Sequence, residues 1–305
     1  MKYLTDLRTR IGSAVFANPV MPASGTYDYF ENNAGLFPMD ELGAVMVKSV
    51  HRHPRSGNPM PRIAETSAGM LNAVGIPSTG IENFMVEELP RYESLHTPIV
   101  LSIAGSEPGH YAESLEIIDN DSRIAAIEMN LSCPNVGSGL PFSSDGRLLY
   151  ETISQARKKT SLPLIAKLTP NITDIRVSAK TAQDAGADAI TVSNTFRAML
   201  IDIDRQRPAL GNISGGLSGP AIFAQNLFLV WQAYTAVSIP IIASGGITSW
   251  QDAVAYLQAG ATALQVGCNN FVNPACMPQI VEGIDHYLFT HGYQSPEEIR
   301  GIAHG

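Results

Sequence analysis

The sequence predicts an α/β protein: one domain, residues 1–305, folded as a (β/α)8 TIM barrel with insertions in its βα loops. Three observations predict it. Eight short apolar runs recur along the chain, amphipathic stretches of helical length stand between several of them, and most starts lie near 25 residues apart. That spacing holds one strand, one helix and two short loops, and eight such units fill about 300 residues.

In order, the strands are read at 20–23 (VMPA), 45–48 (VMVK), 99–103 (IVLSI) and 127–131 (IEMNL), then at 163–168 (PLIAKL), 189–193 (AITVS), 239–243 (IPIIA) and 263–267 (ALQVG). Most are apolar at consecutive positions, the pattern of parallel strands covered on both faces. Helices are expected over 147–160, 173–185 and 249–259, the last two stopped by AGAD and AGAT, where glycine can close a helix. The long gaps at 49–98 and 194–238 read as insertions on the barrel's catalytic face, the first as Pro- and Gly-rich ordered loop. Segment 4–18 reads as a hairpin closing the barrel bottom. The competing open doubly wound sheet lacks a GxGxxG after its first strand, and no linker divides the chain.

Composition narrows the function. With 20 Lys+Arg against 28 Asp+Glu, the formal charge is −8, which argues against a nucleic-acid partner. Three cysteines, at 133, 268 and 276, are too few for a disulfide framework, a zinc site made of cysteine alone or an iron–sulfur cluster, and they suit a reducing compartment. The N-terminus lacks the apolar region of a signal peptide, and no run reaches the ~18 apolar residues of a membrane span. A cytoplasmic protein without membrane association is expected. The seven histidines show no metal spacing, so no metal is assigned.

Polar residues stand at or just after the strand ends: Ser24, Lys48, Ser49, Asn130, Cys133, Lys167, Ser193, Asn194, Thr195, Gly245, Gly246, Gly267 and Cys268. A lone Asn at a strand end is ordinarily a loop cap and a lone Lys an ion-pair partner. A barrel, however, brings all these ends to one rim. ASGGI (243–247) followed by LQVGC (264–268) matches the phosphate arrangement that many barrels build after strands 7 and 8, where bare backbone N–H groups approach phosphate oxygens. It indicates a phosphorylated ligand without distinguishing a flavin mononucleotide from a sugar phosphate. Cys133 opens a Gly/Ser-rich stretch, 133–146, that reads as a lid bearing a reactive thiol, flanked by Asn130 and Asn135.

These motifs together resemble the class 1 dihydroorotate dehydrogenases. The resemblance runs nearly the whole chain, through NPVMPASGTY (18–27), VKSVHRHPRSGNPMPRI (47–63), LNAVGIPSTG (71–80), MNLSCPNV (129–136), IAKLTPN (165–171), SNT (193–195), GGLSGPA (215–221), ASGGI and LQVGC. GGLSGPA and LIDIDRQRPALGN look like the NAD-linked type (class 1B), whereas LSIAG (101–105) is closer to the fumarate-linked type (class 1A). The resemblance implies FMN, with Cys133 as catalytic base and Lys167 beside the flavin. It implies orotate contacts from Lys48, Asn72, Asn130, Asn135, Asn194 and Thr195, with the backbone of Ala73, Val74, Gly75 and Ile76. It implies FMN contacts from Ser24, Lys48, Ser49, Ser102, Asn130, Lys167, Ser193, Gly219, Gly245, Gly246, Gly267 and Cys268. Ser102 stands where the NAD-linked type usually has Asn, and Cys268 where Thr is usual.

The implied reaction is oxidation of dihydroorotate to orotate, in pyrimidine (UMP) biosynthesis. Cys133 takes the C5 proton while C6 delivers hydride to the flavin. The class 1B resemblance further implies a homodimer within a heterotetramer, whose second subunit carries FAD and a [2Fe–2S] cluster and passes electrons to NAD+. An exposed apolar patch is then expected for that partner. Competing readings are a fumarate-linked enzyme, a dihydropyrimidine dehydrogenase-like barrel, a Schiff-base aldolase using Lys167, and a barrel kept as a scaffold.

Overall fold

The computed structural model describes residues 3–132 and 142–305. All eight barrel strands lie where the apolar runs place them: β1 Val20–Pro22, β2 Val45–Met46, β3 Ile99–Ala104, β4 Ile124–Asn130, β5 Leu164–Lys167, β6 Ala189–Val192, β7 Ile241–Ser244 and β8 Ala263–Val266. β4 starts three residues earlier than expected. The strands pair in parallel in the order β1-β8-β7-β6-β5-β4-β3-β2, and Val50–His51 adds a further pairing to β3. Between β1 and β2 the wall closes through Gly43 N donating to Val20 O at 2.8 Å and Asn18 Nδ2 donating to Glu41 O at 2.8 Å.

The helices wrap the outside: α1 Pro108–Ile118, α2 Gly146–Arg157, α3 Ile175–Asp184, α4 Phe223–Tyr234, α5 Trp250–Gln258 and α6 Cys276–Thr290. The sequence starts three of them with side-chain caps. Asp145 accepts from Arg147 N and Leu148 N, Asp174 from Arg176 N, and Ser249 forms a reciprocal box with Asp252. The Ala-Gly-Ala stops hold, with Gly186 at φ +100° and Gly260 at +116°. α2 turns Leu149, Ile153 and Ala156, a helical period apart, onto the barrel wall.

Consecutive apolarity hides a period of two. Leu101, Ile127, Met129, Leu164, Ala166, Ile190, Val192 and Leu264 face outward to the helices. Val100, Ala126, Ile165, Ala189, Ile242 and Ala263 face inward at the bottom. The expected N-terminal hairpin, Thr9–Ile11 against Ala14–Phe16, closes this lower layer by inserting Ile11, Ala14 and Phe16 into it. Phe16 is fully buried there, which stabilises the fold by about 2 kcal/mol relative to exposure.

The first insertion is more than the expected ordered loop. It folds a hairpin, Ile63–Thr66 with Gly69–Asn72, and a helical stretch over 81–93. The hairpin pairs with Gly215–Ser218 of the second insertion, which pairs with Phe196–Ala198, giving one four-stranded antiparallel sheet. Proline and glycine punctuation masked two short, half-exposed strands that are stable only through a partner over 140 residues away.

Candidate functional site

Above the apolar lower layer, the same inward positions turn polar. β4 places Glu128 and then Asn130 inward, β5 Lys167, β6 Thr191, β8 Gln265 and β3 Ser102. Four of these join in one buried network. Lys167 Nζ donates to Gln265 Oε1 at 2.7 Å and lies 3.6 Å from Glu128 Oε1. Glu128 Oε2 accepts from Gln265 Nε2 at 2.5 Å and from Thr191 Oγ1 at 3.0 Å.

At the strand ends a second chain of contacts crosses the mouth. Ser24 Oγ donates to Val47 O at 3.0 Å and lies 3.2 Å from Ser49 Oγ, which lies 2.9 Å from Ser102 Oγ. Ser102 is fully buried and meets the mouth through Ser49. Asn130 Nδ2 donates to Ser49 Oγ at 3.2 Å, and its Oδ1 accepts from Ser132 Oγ at 2.6 Å and Asn194 Nδ2 at 3.2 Å. Asn194 also donates to Ser132 Oγ and accepts from Thr195 N. Tyr111 of α1 donates to Asn130 O at 2.7 Å, fixing the end of β4 from outside.

The insertions bring the remaining polar groups over this mouth. Lys48 Nζ donates to Pro77 O at 3.1 Å. Loss of neighbouring water presses its pKa down, and the Glu88 carboxylate opposes that; because the side chain is exposed, solvent damps the effect. Asn72 is paired in register with Gly216, and Thr195 packs so closely on Gly216 that any side chain there would overlap it. Ala73 to Ile76 form a turn with Gly75 at φ +77° and Ile76 at +50°. Asn58 holds that turn: its Nδ2 donates to Ala73 O at 3.1 Å and its N to Val74 O at 3.1 Å. A cavity of about 420 Å³ beside Lys48 is lined by Ser49, Arg55, Pro77, Ser78 and Glu88. A larger one, about 500 Å³, lies at the opposite end of the strands and contains none of these groups.

The expected phosphate corner is built from bare backbone. Gly246, at φ +71°, sits against Phe223, where a Cβ would lie 2.6 Å from the Phe223 Cα. Ser193 Oγ donates to Asn226 Oδ1 at 2.5 Å, Asn226 Nδ2 donates to Val192 O, and Tyr256 OH donates to Gly245 O at 2.6 Å. These bonds lock the ends of β6 and β7 together. Gly219 packs on Gly69 and beside Cys268, and Gly267 meets nothing closer than ordinary contact. Burial raises the Cys268 pKa, which suits a packing thiol better than an ionised one.

Cys133 and Asn135 lie outside the described residues, as does most of the 133–146 stretch. Reading the strands as apolar on both faces missed Glu128, Gln265 and Thr191. The available signal was one polar residue two positions before the polar strand end, as in IEMN and ALQVG. Asn58 and Asn226 carried no local signal. Among the described residues no His, Cys, Asp and Glu group is arranged to hold a metal, and no helix is long and apolar enough to cross a membrane.

A family profile described as dihydroorotate dehydrogenase matches residues 6–288. The chain belongs to the dihydroorotate dehydrogenase family. It is similar along its length to proteins named dihydroorotate dehydrogenase B (NAD(+)), catalytic subunit. That of Geotalea uraniireducens is 41% identical over 297 residues, covering 97% of each chain. That of Bacteroides fragilis is 42% identical over 299 residues, covering 98% of this chain and 99% of its own. That of Desulforudis audaxviator is 43% identical over 295 residues, covering 96% of each.

The barrel mouth fits the flavin that membership in this dihydroorotate dehydrogenase family implies. Ser24, Ser49 and Asn130 are joined side chain to side chain at the mouth, and the buried Lys167 ammonium belongs to the residue in register with Asn130, a polar edge of the kind a heterocycle needs. Gly245 and Gly246, held against Asn226 and Phe223 where a Cβ would crowd them, and Gly267, which meets only ordinary contacts, present backbone without side chains, the kind of surface that suits a phosphate.

Proposed function

We propose that residues 1–305 act as a single FMN-binding barrel domain that oxidises dihydroorotate to orotate in de novo pyrimidine (UMP) biosynthesis. It does so as the catalytic subunit of an NAD-linked, class 1B dihydroorotate dehydrogenase. What supports this reading is a chain matched over 97% of its length to a B-type catalytic subunit, with Asn130, Asn194 and Thr195 hydrogen-bonded together at the mouth and Lys167 in register with Asn130.

When bound, FMN supplies the hydride acceptor for C6. The protein does the rest. Lys48 pairs with the substrate carboxylate. Asn72, Asn130, Asn135, Asn194 and Thr195, with the backbone of Ala73 to Ile76, hold the imide edges. An analogue lacking those edges leaves buried amides unpaired and is rejected. Cys133 accepts the C5 proton. Lys167 places positive charge where negative charge develops on reduction. Ser24, Ser49, Ser102, Ser193 and Gly219, with the Gly245–Gly246 and Gly267–Cys268 backbone, seat the cofactor.

Electrons leave through a partner subunit carrying FAD and a [2Fe–2S] cluster, within a cytoplasmic heterotetramer built on a homodimer of this chain. Two features support a partner. Three cysteines are too few for a cluster here, and Met199, Ile201, Ile203 and Ile213 stand exposed on the second insertion. The acceptor decides the type. After anaerobic reduction by dihydroorotate, NAD+ should reoxidise the flavin rapidly only when the electron-transfer subunit is added. Rapid reoxidation of the isolated chain by fumarate would replace class 1B with class 1A.

A further inference from the structure

A fully buried carboxylate in a barrel interior needs a reason, because burying a charge is costly unless it is paired and fully hydrogen-bonded. Glu128 is fully buried, and its Oε1 accepts no hydrogen bond among the described residues. The Lys167 ammonium is the cation beside that oxygen, but at 3.6 Å it is too far for a hydrogen bond. Its hydrogen bond goes to Gln265 Oε1 at 2.7 Å instead, while the same amide donates to the other Glu128 oxygen at 2.5 Å. Thr191 Oγ1, at 3.0 Å from Oε2, holds the carboxylate on the far side. The amide is therefore a spacer. It bonds to both ions and keeps them apart, in a network drawn from four strands. On β5, Lys167 is in register with Asn130, the residue at the polar end of β4.

We propose that Glu128 is a positioning residue: held by Thr191 and Gln265, it sets how much of the Lys167 positive charge reaches the flavin. A carboxylate in direct contact would cancel that charge, and none at all would leave it uncompensated. At the spacing seen, the charge is balanced without being cancelled by direct contact. This deepens the FMN reading and rests on it.

The test is the midpoint potential of the protein-bound flavin, with sulfite affinity as a second reading of positive charge at the flavin. Glu128→Gln keeps size and hydrogen-bonding reach but removes the charge. The bound flavin should shift to a more positive potential, and sulfite should bind at least roughly threefold more tightly, since Coulomb interactions are weakly screened in a buried site. A merely structural Glu128 would lower flavin occupancy or melting temperature and leave both readings of the retained flavin unchanged, which overturns the proposal. Should the glutamine variant fail to fold, Glu128→Asp keeps a buried anion but withdraws it toward β4. It should shift the potential in the same direction by less, and a wild-type potential overturns the proposal. Wild-type protein that takes up no flavin would instead overturn the FMN reading.

Discussion

On the inner wall of the barrel, chemistry is decided by single residues two positions apart. β4 runs Ala126, Glu128, Asn130 from apolar floor to polar mouth, and β5 runs Ile165, Lys167. Asn130 is the busiest of these groups, joining Ser49, Ser132 and Asn194. Asn130→Ala removes the amide that joins them, while Ser49 keeps Ser102, and Ser132 and Asn194 keep each other. kcat/KM for dihydroorotate should fall at least tenfold, with the melting temperature nearly unchanged; an unaltered kcat/KM would remove Asn130 from the site. The strand-end residues were legible in the sequence because polar groups there interrupt apolar runs. Glu128 and Gln265 were not, because continuous burial on the outer face disguises the alternation of the inner one. Asn58 and Asn226 were invisible because their work is to brace a turn and a strand end contributed from elsewhere in the chain.

At the scale of elements, runs and caps located the eight strands and three helices to within a few residues. The N-terminal hairpin was legible too, since its alternating burial suits a plug with one face in the barrel. The insertion hairpin was not, because its pairing with Gly215–Ser218 is a long-range fact. The first insertion is also tied to the barrel at His51. His51 N donates to Ser78 Oγ at 3.1 Å, its Nε2 lies 3.0 Å from Ser106 Oγ, and its Nδ1 lies 3.1 Å from His53 O. Burial foremost, then the Arg55 cation, pushes the His51 pKa from 6.5 to about 4. The unfolded chain therefore takes up a proton below pH 6.5 that the folded chain refuses until about pH 4. Stability contributed by neutral His51 is complete above the unfolded value and is lost as the pH falls through this window. The melting temperature should drop on acidification from 6.5 to 4, and His51→Gln should flatten part of that slope. An identical slope in the variant would contradict the assignment.

For the whole molecule, the two ends of the barrel divide the labour. The bottom is sealed by Ile11, Ala14 and Phe16 against an apolar layer. The top joins strand ends to a sheet made from two insertions, which places Asn72 and Thr195 over a mouth formed by Ser49, Asn130 and Lys167. Such an arrangement is suited to a planar, carboxylated imide bound against a flavin. The most direct measurement is therefore anaerobic single-turnover reduction of the flavin-loaded protein by dihydroorotate and, separately, by dihydrouracil. Dihydroorotate should bleach the flavin rapidly and stoichiometrically, with Cys133→Ala slowing the step at neutral pH by at least about a hundredfold, while dihydrouracil leaves the flavin oxidised. Equal bleaching by the two substrates, or full-rate bleaching by the alanine variant, would contradict it.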